Sequence, residues 1–376
     1  LGQRRQFPPN GLSGLLLLPA TRPSGAEWII LAFAVTMTPR SRDRHATAGQ
    51  STLNLFYEEP DPDRWLPFDR YPRRWIRRLV RGPEQPRGTM RAFLNLVEGL
   101  DRIGAPYRLN DFRHIAANGG ELACVFGKPH VLARIPPRTP ILFGTSIYSH
   151  PSDNPRLPDE RPIRQVLVPS AWVQRMFEEV WPGIVSVWPV GIDTRRWVPA
   201  PGAAKDVDVL VYDKIYWERG RYEHELIGPL MREMAQRGLR VETLRYGSYE
   251  EKDLFDLSRR ARAMVYLSRH ETQGIAAQQM MSAGVPLFAW DLGGLWQDPK
   301  YFPEHVRFEP VTSVPYWSDD CGVRFRGDGD MPEAFDRFWA GVEANTYSPR
   351  DLVVEQLNLE KQAREYVALA ERSQGR

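Results

Sequence analysis

"SRHETQGIAAQQMMSAGVP", from Ser268 to Pro286, lies between two apolar runs, "AMVYL" (263–267) and "VPLFAW" (285–290). Runs of this length bounded by polar residues read as buried strands, and the segment between them reads as a loop followed by a helix. Strand–helix–strand, with both strands apolar along their whole length, indicates a parallel sheet covered on both faces. The fold class expected from this stretch is therefore α/β. In open parallel sheets, ligands gather beyond the carboxyl ends of the strands. The loop Ser268–Gly274 lies at such a rim.

The chemistry of the stretch can be read residue by residue. The helix starting near Ile275 presents free backbone N–H groups, which suit an anion such as phosphate. Gly274 lets a ligand approach the backbone because no Cβ intervenes. Glu271 sets a carboxylate beside that anion site, and a carboxylate prefers hydroxyl groups that donate to it. Gln279, farther along the helix, also bonds hydroxyls, and Gly284 ends the helix. Taken singly, Glu271 reads as a solvated loop acid and Gln279 as a surface residue. Together with the helix start they describe a phosphate flanked by two polyol contacts, as in a sugar nucleotide.

The same alternation extends outward in both directions. Toward the N-terminus the strand "DVLVY" (208–212), a helix over "HELIGPLMREMAQRG" (224–238), the strand "VETLRYG" (241–247) and a helix "EKDLFDLSRRA" (251–261) lead into "AMVYL". Before them "VPAPGAAKD" (198–206), rich in Pro and Ala, reads as a joint. Upstream of the joint the pattern runs through "TLNLFY" (52–57), an amphipathic helix from Gly88, "LACVFG", "PILFG", "QVLVPS", the helix "AWVQRMFEEV" and "VSVWPVG". This organisation predicts two Rossmann-like, doubly wound domains facing each other across a cleft, spanning 51–198 and 199–348. The final stretch, 349–376, reads as one helix returning to the first domain. Residues 1–50 read as a disordered or dispensable extension, since "GLSGLLLLPA" and "WIILAFAVTM" are each half of the ~20 residues a bilayer span needs.

At 376 residues the chain exceeds what one core usually supports, consistent with two domains. Its formal charge of +3 imposes no global field toward nucleic acid or membrane. The two cysteines, Cys124 and Cys321, are far apart with no histidines beside them, so neither a disulfide framework nor a zinc site is expected, and a cytoplasmic location fits.

The stretch around Glu271 resembles the C-terminal signature of the retaining glycosyltransferases of family 4, which have the GT-B fold. That pattern is a glutamate, seven residues, a second glutamate, then a small residue, Gly and Pro. Here it runs Glu271, seven residues, Gln279 and "MMSAGVP". The resemblance implies that Glu271 contacts sugar hydroxyls, that position 279 holds the ribose, and that the backbone of Gly274, Ile275 and Ala276 meets sugar and phosphate. Glutamine at 279 departs from the pattern and lacks the charge-assisted bond a glutamate would make. "YDKIYWERG" sets Lys214 and Arg219 five apart, where the family has Arg and Lys holding the diphosphate. "DLGGLW", with Gly293 and Gly294, matches its double-glycine loop. "VLVPSAW" and "VWPVGIDTRRW" resemble its approach to the hinge, with Gly191 and Asp193 as fixed points. The likeness covers most of 51–376 and is strongest from Arg164 onward.

What the resemblance implies is transfer of a sugar from a nucleoside diphosphate to an acceptor hydroxyl, with retention, on a carbohydrate or lipid-linked acceptor. No cofactor or metal is expected, because Lys214, Arg219 and the helix start meet the growing phosphate charge. The acid-x-acid triplets at Asp61–Asp63 and Asp328–Asp330 sit among Pro or Gly and read as turns. On the acceptor side, Gly88, Thr89, Lys128 and Thr145 are candidates, with His130 and His150 as conceivable bases or as structural histidines. A nucleotide-sugar or glycan-binding module without catalysis, and a GT-B epimerase or phosphorylase, are the alternatives.

One segment stands apart. "DRWLPFDRYPRRWIRRLVRG" (63–82) alternates arginine with aromatic residues. As a helix from Pro72 it sets Trp75, Ile76, Leu79 and Val80 against a face of arginines. Such a helix suits the inner, anionic face of a membrane, an anionic glycan, or simply a place on the first domain's surface. Packing of its apolar face on the first domain is the favoured reading, with peripheral membrane contact through 63–82 the alternative; nucleic acid is not expected.

Overall fold

A computed structural model describes residues 40–42, 51–59, 88–327 and 329–375. Two sheets organise it. The first lobe has strands β1 (Arg40–Arg42), β2 (Leu53–Phe56), β3 (Tyr107–Leu109), β4 (Ala123–Val125), β5 (Ile141–Gly144), β6 (Ile163–Val168) and β7 (Val185–Val187). Their order is β1-β3-β2-β4-β5-β6-β7, all parallel except β1, which runs antiparallel to β3. The second lobe has β8 (Val207–Asp213), β9 (Val241–Arg245), β10 (Ala261–Leu267), β11 (Leu287–Trp290) and β12 (Gly322–Phe325), all parallel in the order β12-β11-β10-β8-β9. Burial follows position. All seven residues of the inner strand β8 are buried, while β9, "VETLR", has an edge place where Glu242, Thr243 and Arg245 reach water.

Helices cover both faces: α1 (Gly88–Ile103) and α2 (Ala171–Glu178) in the first lobe, then α3 (Glu251–Arg260), α4 (Ile275–Ser282), α5 (Met331–Ala344), α6 (Pro349–Gln356) and α7 (Leu359–Gln374). In α1, Phe93, Leu94, Val97 and Leu100 fall at helical spacing and are buried. The expected two doubly wound domains are present. Strand β12 and helix α5 close the second sheet. Strand β1 lies inside the span expected to be an extension, and the arginine-rich segment 63–82 and the triplet at 61–63 lie outside the described residues.

Two helices differ from expectation. The one expected from His224 begins at Arg219 and passes through a π-helical turn, Glu223–Ile227, before Gly228–Gln236. Pro229 has no N–H to give the ladder, and the widened turn accommodates that gap. The single C-terminal helix is two, α6 and α7, broken at Leu357–Asn358. There the hinge strand crosses: Ile192 N–H donates to Leu357 O (2.6 Å) and Leu359 N–H to Ile192 O (3.2 Å). Asn358 restarts the helix by accepting from Lys361 N–H at 2.8 Å. A Cβ on Gly191 would sit 2.7 Å from Leu359 Cα, so this crossing requires glycine.

The lobes also exchange segments. Helix α7 lies along α1, with the Trp188 indole donating to Gln362 O at 2.9 Å. The connection from β11 to β12 reaches the other way, and Trp296, Tyr301, Val306, Phe308 and Val311 join the first lobe's core beside Trp172, Val173, Phe177 and Trp181. Lys300 Nζ and Tyr301 Oη both donate to Asp153 of the first lobe, at 2.8 and 2.7 Å.

Candidate functional site

Strand order decides where the site forms. In the second sheet the strand order reverses between the parallel neighbours β8 and β10, so the loops leaving these two strands diverge and open a crevice at the carboxyl edge. The strands are in register, with Leu267 opposite Asp213. Lys214 and Ser268 therefore emerge side by side, and Lys214 N–H donates to Leu267 O at 2.8 Å. Lys214 Nζ then reaches Glu271 Oε1 at 2.6 Å. The same oxygen accepts from Tyr266 Oη at 2.8 Å and Ser268 Oγ at 2.9 Å.

Three donors on one carboxylate oxygen fix the side chain of Glu271, which is only 7% exposed. Its backbone is held as well, because its N–H donates to Thr312 O (2.9 Å) and its carbonyl accepts from the Trp172 indole of the first lobe (2.9 Å). Burial works against the charge on Lys214, yet the Glu271 charge and hydrogen bond outweigh it and raise its pKa above the usual lysine value. Burial, reinforced by the same carboxylate, pushes the Tyr266 phenol well upward, so it stays a donor.

Behind the carboxylate the chain turns into α4. Gly274 caps the helix at φ +82°, a left-handed conformation that disfavours any side chain. Ile275 and Ala276 follow in the first turn and are partly buried against the second lobe's core. The preceding residue, Gln273, is tied to the hinge by its side chain: Oε1 accepts from Val190 N–H (2.9 Å) and Nε2 donates to Val190 O (2.7 Å). Gln279 is 5% exposed on α4.

A cavity of about 330 Å³ opens in front of Lys214 and Glu271, with walls from both lobes. From the first lobe come Thr89, Lys128, Ser146, Tyr148 and Trp172, and from the second Tyr216, Trp217, His270, Trp296 and Asp298. The first sheet reverses between β2 and β4, which explains why Thr89 and Lys128 arrive there. Gly88 starts α1 at φ +50°. Gly127, just before Lys128, is at φ +84°, and a Cβ there would press on Tyr57 (3.1 Å) and Thr89 (3.3 Å). Thr145 is buried beside this wall, its carbonyl accepting from Gly127 N–H at 3.1 Å.

Several candidates lie elsewhere. Arg219 is outside the cavity's described walls; its guanidinium bonds Asp213, the carbonyl of Ile215 (3.2 Å) and Glu223 (2.8 Å). Lys214 and Glu271 thus come together, and Arg219 turns away into a local ion-pair cluster. Gly293 and Gly294 adopt φ of +69° and +74° after β11, where Gly294 O accepts from Val311 N–H at 3.1 Å. His130 is exposed on the turn Pro129–Arg134. His150 is buried against Trp296 (ring centroids 5.7 Å apart), and burial lowers its pKa to about 4. Asp330, the described acid of 328–330, accepts from Arg326 N–H and Gly327 N–H, as a turn residue does.

The sequence did not single out Tyr266, Ser268, His270, Trp172, Trp217 or Trp296. Ser268 and His270 stand within the opening stretch, but nothing in their spacing marks them. The His270 ring lies near three indoles, Trp172, Trp217 and Trp296, at 6.1, 5.7 and 6.4 Å between centroids. Burial lowers its pKa to about 4 against the opposing charge of Glu271, so it is neutral at physiological pH.

No family profile and no curated protein sequence matches the chain. Solved structures do. Sucrose-phosphate synthase from Thermosynechococcus elongatus superposes with a TM-score of 0.50 at 12% identity, covering 86% of this chain and 99% of that one. The fold is GT-B. HepE from Anabaena, solved with UDP, gives a TM-score of 0.47 at 11% identity, over 85% of this chain and 100% of that chain. A chain of the GtfA/B complex gives 0.43 at 12%, and this protein spans only 60% of its length. At these identities the likeness is one of architecture.

Proposed function

We propose that this protein is a glycosyltransferase that moves a sugar from a nucleoside-diphosphate donor to an acceptor hydroxyl with retention. The observation that carries the proposal is the Lys214–Glu271 pair at 2.6 Å, set at the second lobe's switch point and facing a cavity walled by both lobes. In this reading Glu271 takes the donor sugar's hydroxyls through its second oxygen, since Oε1 is already occupied by three donors. Lys214 turns from Glu271 toward the β-phosphate when donor binds, so charge developing on the leaving diphosphate meets a cation already in place. The start of α4 beyond Gly274 supplies backbone N–H groups to the same phosphates. Lys128 brings a second cation from the first lobe, and this complement serves without a divalent ion. Gln279 holds the ribose, and Gly293 and Gly294 let their loop approach the donor. The donor phosphate takes the acceptor's proton, since both histidines near the cleft are poor bases with pKa values near 4.

The acceptor is a carbohydrate, free or lipid-linked, held against the first lobe near Thr89, Lys128, Thr145 and the aromatic walls. A nucleotide-sugar-binding module without turnover is the second reading, favoured by the withdrawal of Arg219 into its own ion pairs. Release of nucleoside diphosphate from UDP-, GDP- and ADP-glucose, with and without EDTA, separates the two. Turnover that survives EDTA, with the product keeping the donor's anomeric configuration by NMR, supports the transferase. Binding without release supports the module.

A further inference from the structure

Buried indole N–H groups need acceptors, and those of Trp181, Trp188, Trp290 and Trp339 each find one within their own lobe or in the helix docked on it. Trp181 donates to Pro155 O at 3.0 Å and Trp188 to Gln362 O at 2.9 Å. Trp172 is different. It sits on α2, 3% exposed in the first lobe's core, yet its N–H crosses the lobe boundary to the carbonyl of Glu271, 99 positions away. That bond fixes the peptide plane following Glu271 and therefore the direction in which its side chain leaves the backbone. Two residues on, Gln273 exchanges two hydrogen bonds with Val190 at the hinge. The loop that carries the carboxylate is thus clamped from both sides by residues of 51–198, while Lys214, Tyr266 and Ser268 hold it from its own lobe.

Resting on the reading just given, we propose that Trp172 is a positioning residue. It couples engagement of the two lobes to the orientation of Glu271, so that the donor's sugar is recognised only when the lobes are docked. Diphosphate recognition by Lys214, the start of α4 and Lys128 does not pass through that contact. The coupling therefore acts on the sugar and spares the nucleotide.

The test is calorimetric, on the full chain, with UDP, GDP and ADP against their glucose conjugates. For the best-bound nucleotide, the ratio of diphosphate Kd to sugar-conjugate Kd measures what the sugar contributes. Trp172→Phe keeps a ring against Phe308 but removes the N–H. It is expected to lower that ratio about fivefold, the contribution of one hydrogen bond, with the diphosphate Kd within twofold of wild type. Gln273→Glu, which loses the donor to Val190 O and lies behind the cavity, is expected to lower the ratio in the same way. It also provides the measurement should Trp172→Phe fail to fold. A ratio unchanged in either folded variant, or a parallel loss of both affinities, overturns the coupling while leaving the transferase reading intact. A wild-type protein that gains nothing from the sugar overturns both.

Discussion

The two switch points of this protein are built from the same strand order but differ in how firmly their polar groups are held. In the second lobe Glu271 is tied at three points: the backbone N–H, the backbone carbonyl, and one carboxylate oxygen with three donors. In the first lobe, Lys128 is exposed and Thr89 sits at the first turn of α1, with the surrounding wall formed by aromatic rings. The difference teaches a division of labour. A group whose task is to hold the donor sugar in one orientation benefits from being fixed beforehand, because no reorganisation is then needed. A wall that accepts a second substrate needs shape more than fixed dipoles.

The sharpest way to break this contrast is to truncate one polar side chain on each side. Lys214→Ala is expected to cut sugar transfer at least ~100-fold, about 3 kcal/mol in the barrier, whereas Thr89→Ala changes it by less than about tenfold. Steady-state release of nucleoside diphosphate measures both, and equal losses would erase the distinction. Next in size is an acid-stability effect at the lobe boundary. His150 has its pKa lowered to about 4 by burial, so the unfolded chain binds the proton first as pH falls. Stability conferred by the neutral ring is complete above about pH 6.5 and is lost progressively down to about pH 4, by roughly 3 kcal/mol. In His150→Gln, urea midpoints measured across that window are expected to flatten.

Gly274→Ala sharpens the comparison from the backbone side. At φ +82° an alanine costs about 1–2 kcal/mol, which should weaken nucleoside-diphosphate affinity roughly tenfold in calorimetry. The smallest effect on turnover is expected at Arg219. Since it pairs with Asp213 and Glu223 and lies outside the cavity's described walls, Arg219→Ala should change turnover by less than about fivefold. Its cost appears in thermal unfolding instead, through a buried Asp213 that loses its partner.

These expectations also mark what could be read from residues alone. The alternation of apolar runs and helices gave the two lobes, and the pattern from Glu271 to Gly284 located the second lobe's rim, because its parts lie within a few turns of chain. Lys214 and Glu271 are 57 positions apart, yet adjacent parallel strands in register bring them together, and a βαβ reading anticipates that. Arg219 shows the limit. Its charge was legible, but its direction depends on a left-handed residue at Glu218 and a helix that starts five residues early. Trp172, His270 and Trp296 were not legible, since their meaning comes from contacts between lobes that no local spacing encodes. The departure of α6 from α7 was hidden for the same reason: the hinge strand that breaks them is about 165 positions upstream.

The excursion between β11 and β12 has a practical corollary for anyone dissecting the molecule. Trp296, Tyr301, Val306, Phe308 and Val311 fill space in the opposite lobe and bring on the order of 10 kcal/mol of gross apolar transfer energy with them. A fragment ending at the Pro-Ala joint would leave that volume unfilled and expose Trp172 and Phe177 to solvent. Half-molecules cut at 198 should aggregate, and chimaeras that swap one lobe for another will need to carry residues 296–311 with the first.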